Sequence, residues 1–316
     1  MTSVRIGLIP WSGRGSASDP ERGFLRHARL ADELDLHSVW LPEGHFDTAA
    51  CPSPLILLAA AAACTSKLRL GTTSTLLSIR NPIHVAEEVA VLDHLSGGRV
   101  LLGVGRGFRA ALFSGFGVPE SEKRDRFEAA LEIVLRAWRG EPIAGEAIRV
   151  TPRPVQKPHP PVWVAAFGPK ALAQAGRLGL PYLASPVEPI DRLEENYARH
   201  AAALPSDQTD PLPVPVIRTL FVSRDGAQVE AVRSGLEQQA RELAERAGGR
   251  FAELAGRPAA DWALVGSPDE VTRGIATYRE RIGLTHLIAR IHVPGATLPE
   301  IETSLRLLSQ EVRSRL

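Results

Sequence analysis

Cysteine is scarce in this chain. Two cysteines in 316 residues, Cys51 and Cys64, cannot build a disulfide framework, and they lack the spacing of a metal-binding set. They read as reduced thiols, which predicts a cytoplasmic location. Excess charge is missing too: Lys+Arg 37 against Asp+Glu 36 leaves a formal charge of +1. No field of one sign draws the protein toward nucleic acid or an anionic membrane, so neither is expected as a partner. The longest apolar run, PLILLAAAAAC from Pro54 to Cys64, is too short to cross a bilayer. The opening MTSVRIGLIP has no basic stretch followed by a long apolar one, so no secretory signal is expected. Also missing are a G-x-S-x-G nucleophile, a reactive-cysteine signature, clustered metal ligands and a P-loop. No metal is therefore expected.

What is present is alternation. Short apolar, β-branched runs begin near Val4, Ser38, Leu68, Val100, Pro161, Pro181, Val214 and His286, with segments of helical period between them. Parallel strands need a helical crossover, so this pattern predicts βαβ units. Eight such strands are the number that a closed (β/α)8 TIM barrel requires, and 1–316 is read as one such domain. Helix ends are legible as well. Ser267, Pro268 and Glu270 form a capping box with proline at the first helical position. The glycines of Ser96–Arg99, with Gly140, Gly179 and Gly283, are expected to stop four helices. Two stretches break the rhythm. Arg139 to Pro161 holds six prolines and reads as an inserted excursion between strands 4 and 5. The Pro- and Asp-rich stretch from Ser206 to Pro215 reads as a loop entering strand 7.

Barrel active sites lie at the C-terminal ends of the strands. Five of those ends carry polar or glycine-rich groups: Glu43-Gly44-His45, Thr72-Thr73-Ser74-Thr75, Gly105-Arg106-Gly107, Phe167-Gly168-Pro169-Lys170, and Arg290 with His292. Each has a plain reading, since loops are polar anyway. GVGRGF, Gly103 to Phe108, lacks dinucleotide spacing; Arg106 can fork onto a phosphate or carboxylate, or simply be solvated. Gly168-Pro169 sits at a strand-to-helix junction late in the barrel. There, free N–H groups favour an anion, and Lys170 adds charge or is solvated. The hydroxyl residues of GTTSTLL leave room for a flat ring or for tight packing. His45 alone reads more readily as a satisfied structural histidine than as a catalytic one. Arg124, Arg126, Glu87 and Glu88 read first as solvated helix faces.

Taken in order, VWLPEGHFD, LRLGTTSTLLSIRNPIHVAEEVAVLDHLSGGRVLLGVGRGF and PVWVAAFGPKALAQAGRLGLP resemble the bacterial luciferase-like flavin-dependent monooxygenases. The resemblance is dense from about Val39 to Ala130 and readable to the C-terminal GSPDEVTRGIATYRERIGLTHLIARIHVPG. It implies a barrel that binds flavin at the strand C-termini. The family's non-proline cis peptide maps onto Thr73-Ser74. Its phosphate-binding arginines map onto Arg106 and Arg124, and its backbone phosphate cradle onto Gly168-Pro169-Lys170. The implied chemistry is reduced FMN reacting with O2 to give a C4a-peroxide that oxygenates a small organic substrate. A separate reductase would supply the reduced flavin, since no nicotinamide fingerprint is present.

The sequence departs from the family at two positions. The histidine associated with proton transfer in luciferases is Gly44 here, which removes a proton carrier and leaves space. The reactive thiol position is Gly105. Light emission is therefore not expected, and Glu43 and His45 become the candidate catalytic groups. His45 also matches the histidine that meets an acid of the partner subunit, an acid that maps onto Glu87. A homodimer contact thus competes with a catalytic role. Two alternatives remain open: a hydride-transfer enzyme dependent on the deazaflavin coenzyme F420, and a catalytically silent flavin-binding or partner subunit.

Overall fold

Each of the eight apolar runs forms a strand in the computed structural model, which describes residues 3–13, 19–143, 145, 147–246 and 257–316. In chain order the first half holds β1 (Arg5–Ile9), α1 (Pro20–Glu33), β2 (Ser38–Leu41), α2 (Pro54–Cys64), β3 (Arg69–Thr72), β4 (Thr75–Leu76), α3 (Pro82–Ser96), β5 (Val100–Gly105), α4 (Ala110–Gly115), α5 (Lys123–Arg139) and β6 (Val162–Ala165). The second half holds α6 (Pro169–Arg177), β7 (Tyr182–Leu183), α7 (Ile190–Ala201), β8 (Pro215–Val222), α8 (Gly226–Arg246), β9 (Ala263–Gly266), α9 (Pro268–Ile282), β10 (His286–Arg290) and α10 (Leu298–Leu307). Two of these strands, β4 and β9, are additions to the eight expected. Both are short: β4 has 2 residues and β9 has 4, too few to show a period.

The chain divides into two compact units. One comprises Trp11–Asp32 and Ser38–Ala165. Its strands β2, β3, β5 and β6 pair in parallel in that order, and β4 joins β5 further along. Trp40 organises the interior. It stacks on Trp163 at 4.9 Å and 25°, and its Nε1 donates to Ser38 Oγ at 2.8 Å. Gly71, the register partner of Trp40 on β3, is required there: a Cβ would come within 2.2 Å of the indole. The proline-rich excursion is pinned to this unit by Gln156. Its backbone N–H and side-chain amide donate to the two oxygens of buried Asp93 at 2.9 and 2.7 Å, and its side-chain carbonyl accepts from Arg69 at 2.7 Å. Ala144 and Glu146 of the excursion lie outside the described residues.

The other unit comprises Met1–Pro10, Glu33–His37 and Ala166–Leu316. Strands β1, β10, β8 and β9 pair in parallel in that order. The Ser267–Glu270 capping box is present at the start of α9, and Gly283 closes that helix in the left-handed conformation. Gly97 and Gly140 close α3 and α5 in the same way, and Gly179 follows α6 at φ +64. A buried polar network binds this unit. Glu188 accepts from Tyr182 Oη at 2.7 Å, the Ser185 N–H at 2.9 Å and Asn196 Nδ2 at 2.6 Å. Arg218, fully buried, donates to the Glu188 carbonyl at 2.6 Å and to Tyr278 Oη at 2.7 Å, with Tyr278 also stacked beneath its guanidinium. Burial pushes the Glu188 carboxyl above its usual range, against the lowering effect of its three donors and of Arg218.

Candidate active site

The strand ends of the first unit bring several of the singled-out residues together. β2 ends at Leu41 and its chain runs on to Glu43, whose side chain is wholly enclosed. Four contacts hold its two oxygens. Arg80 Nε donates at 2.9 and 3.0 Å, the Leu76 N–H donates at 3.0 Å, and His45 Nε2 lies 2.9 Å away. Glu43 thus ties the β2 end to β4 and to the loop after β4. Because Glu43 is the acceptor in this cluster, the His45 contact is best written as Nε2–H donating. In a neutral ring that leaves Nδ1 as a bare acceptor. Phe116 sets its edge against His45 at 4.8 Å and 76°, and Phe46 leans on Phe116 at 5.5 Å. Phe46 adopts φ +58 and is 66% exposed, its ring laid over Gly115, where any Cβ would collide with it. His45 is therefore flanked by open aromatic surface.

Gly44 does not leave the space expected of it. Its Cβ position lies 3.2 Å from the Ala50 methyl, and its N–H donates to the Cys51 carbonyl at 3.0 Å. The returning loop sets Ala50 tightly against the position a Cβ would take. Gly105 is similarly constrained: a Cβ there would lie 2.2 Å from Ser74 Oγ. Ser74 thus occupies the volume that a side chain at position 105 would take, the position to which the resemblance assigns a thiol. The peptide bond Thr73-Ser74 is cis, as the resemblance implied. Thr72 Oγ1 donates to the Gly103 carbonyl at 2.7 Å, and Thr73 N–H to the Leu41 carbonyl at 2.8 Å. The buried Thr75 hydroxyl has no hydrogen-bond partner among the described residues.

Arg106 follows β5 directly, its carbonyl accepting from Ser78 Oγ at 2.5 Å and its guanidinium over the Phe127 ring at 5.8 Å. Its pKa is lowered first by desolvation and then by the positive charge of Arg124. Arg124 projects from the first turn of α5 and is exposed, with no hydrogen bond or ion pair among the described residues. Two guanidinium groups therefore lie close enough to repel, an arrangement that a dianion would reverse. Arg126, by contrast, is an ordinary surface residue paired with Glu122 at 2.7 Å. Glu87 is half-buried on α3 and makes no contact with His45 within the chain, where Glu43 holds the ring instead.

Gly168-Pro169-Lys170 belongs to the other unit. Gly168 takes φ +87 and opens α6, with Pro169 at the first helical position and Lys170 exposed. That unit also holds a cavity of about 470 Å³ between α7, α8 and α9. Its charged lining groups are engaged: Arg233 with Glu270, Arg257 with Asp261, Asp191 with Arg281, and Glu237 with the Ala259 N–H. Among the described residues no cluster of three or more His, Cys, Asp or Glu could hold a metal, and no helix is long and apolar enough to cross a membrane.

Sequence reasoning missed Arg80, the principal cation on Glu43. The two are 37 positions apart, and a single arginine in SIRNP carries no local signal. It also missed the Glu188–Arg218–Tyr278 network. There, the only available hint was an arginine within an otherwise apolar strand.

A family profile described as luciferase-like monooxygenase matches residues 6–286. An uncharacterised protein of Sinorhizobium fredii is 29% identical over 228 residues, covering 68% of this chain and 65% of that protein. The F420-dependent glucose-6-phosphate dehydrogenase of Kineococcus radiotolerans is 34% identical over 181 residues, 52% of either chain. The aligned region thus spans less than two-thirds of these curated relatives' length. Among solved structures, the oxygenating constituent of 3,6-diketocamphane monooxygenase of Pseudomonas putida, in complex with FMN, matches 100% of this chain and 99% of its own. The TM-score is 0.81 at 21% identity. This likeness shows the fold class, the α/β barrel expected from the alternation of strands and helices.

Proposed function

Because the chain belongs to the luciferase-like monooxygenase family, we propose that it is a flavin-dependent oxidoreductase that uses reduced FMN and O2 to oxygenate a small organic substrate, without light emission. The observation that carries this reading is the pair Arg106 and Arg124: half-buried Arg106 follows β5, and exposed Arg124 opens α5 near enough for its charge to act on Arg106. The first unit fits a flavin in other respects too. The β3 end carries small hydroxyl residues, with Thr73 and Ser74 half-buried, which suits a flat ring. The reduced flavin supplies the activation of O2.

The chain's own residues do the rest. Arg106 and Arg124 bind the phosphate with charge-assisted hydrogen bonds. The Gly168-Pro169-Lys170 turn, at the start of α6, offers free helix N–H groups to an anion. Glu43 positions His45, and His45 holds or moves a proton at Nδ1. Open aromatic rings on Phe46 and Phe116 suit an apolar substrate body. Gly44 and Gly105 withhold the two luciferase side chains, which accounts for chemistry without emission. A separate reductase supplies the reduced flavin. Self-association as a homodimer is supported by the exposed apolar residues of α2 and α3, Ile56 at 71%, Val91 at 54% and Leu95 at 55%. Glu87 lies on α3, which keeps a His45–Glu87 contact across that dimer in play.

The F420-dependent relative favours a second reading, hydride transfer with the deazaflavin coenzyme. Titration with FMN and with F420, oxidised and reduced, followed by oxygen-electrode measurements, separates the two. FMN binding with oxygen uptake supports the main reading; F420 binding without oxygen uptake overturns it. Flavin binding with no oxygen uptake across aldehydes and ketones would assign the chain as a silent partner subunit. Arg106→Ala and Arg124→Ala should each weaken FMN binding by about 1.5–3 kcal/mol. Unchanged titrations for both would remove the phosphate assignment.

A further inference from the structure

One loaded strand end remains unused by this reading. Arg290 closes β10, and it is the exposed residue of an otherwise buried strand. Among the described residues it makes no hydrogen bond, ion pair or ring contact. Register fixes the face on which it stands. Arg218 on β8 reaches Tyr278 on α9, and its register partner on β10 is Ala289. Side chains alternate along a strand, so Ala289 shares the helix-covered face while Arg290 takes the opposite one. Thr219 and Ile9, the register partners of Arg290, share that face with it. Parallel sheets of this class bind their ligands at the C-terminal edge, where Arg290 stands.

The electrostatics are unusual for a surface arginine. Water reaches the side chain, yet surrounding protein depresses its pKa, with desolvation the sole cause. A cation so placed, without a counter-charge, costs free energy that an arriving anion recovers. Thr219 adds a second group. It is buried to 3% exposure, and its hydroxyl has no partner among the described residues.

We propose that Arg290, with the Thr219 hydroxyl beside it, is a binding site for the carboxylate of a small organic acid. One planar guanidinium matches one singly charged carboxylate, fork to fork, and the hydroxyl can donate to a remaining lone pair. A phosphate monoester, with about two negative charges, calls for more cations than this face supplies.

The test follows 4-fluorobenzoate and its neutral counterpart 4-fluorobenzamide by 19F NMR on the full chain, with and without FMN. The acid should bind more tightly than the amide by roughly 10- to 100-fold, the range for a charged hydrogen bond. Arg290→Gln should abolish that preference and Arg290→Lys should keep part of it, with FMN titrations unchanged in both. Should the variants fail to fold, phenylglyoxal labelling of the wild-type chain with peptide mapping decides the same question. Labelling at Arg290 should be slowed by 4-fluorobenzoate and not by 4-fluorobenzamide. Equal binding of acid and amide, a preference that survives Arg290→Gln, unprotected labelling, or loss of FMN binding in Arg290→Gln each overturns the proposal. Acid-selective binding in a chain that binds no FMN would support the anion site while removing the flavin reading.

Discussion

The Glu43–Arg80 pair gives the sharpest test of how the site is held. Glu43 is enclosed, while the Arg80 side chain is 22% exposed and has Glu88 at 3.7 Å as a second partner. Arg80→Ala strands a buried carboxylate with only the Leu76 N–H and His45 for company. Stranding a buried charge costs about 3–5 kcal/mol, and partial hydration at the vacated site favours the lower end, about 3 kcal/mol. Glu43→Gln keeps an acceptor for Leu76 but sets an amide N–H2 against the remaining donors, at about 1.5 kcal/mol. The double variant buries no charge at all, and its cost should be about 2 kcal/mol rather than the sum of the single losses. The implied coupling, roughly 2–3 kcal/mol, lies at the upper end for groups in direct contact. Urea unfolding followed by tryptophan fluorescence reads it, because Trp40 and Trp163 are buried in the same unit. A coupling below about 0.5 kcal/mol would show that the pair acts as two independent surface groups, and the positioning role of Glu43 would fall with it.

Other outcomes follow from individual contacts. Gly105→Ala should destabilise the chain by about 1–3 kcal/mol through its clash with Ser74, and adding Ser74→Ala should restore part of the melting temperature; an unchanged melting point for Gly105→Ala refutes the contact. Glu188 carries a pH signature. Its folded pKa is raised by burial above the ordinary value of 4.5, so its contribution is fully present below that value and is lost as pH rises through the folded pKa. Glu188→Gln should therefore flatten the fall in stability on the alkaline side of 4.5, measured by urea unfolding at stepped pH. If the dimer contact is the main task of His45, His45→Ala should sediment toward monomer before turnover changes; a fully dimeric, inactive variant assigns the residue to proton transfer instead.

The eight main strands, the Ser267 capping box and the glycine helix stops were all legible, because each depends on local period or on backbone freedom within a few residues. The same holds for the Thr73-Ser74 cis peptide and the arginine pair, which an ordered set of motifs located without coordinates. β4 and β9 were not legible, since 2 and 4 residues are too short to show a period. Arg80 on Glu43 and Arg218 on Glu188 were hidden for a different reason: an ion pair across 37 positions and a guanidinium-to-carbonyl bond across 30 are decided by chain folding. Gly44 and Gly105 mark the boundary most clearly. The sequence by itself shows that two side chains are missing. Only the tertiary structure shows that Ala50 crowds the Cβ position at Gly44 and that Ser74 Oγ occupies the one at Gly105, because packing there is close.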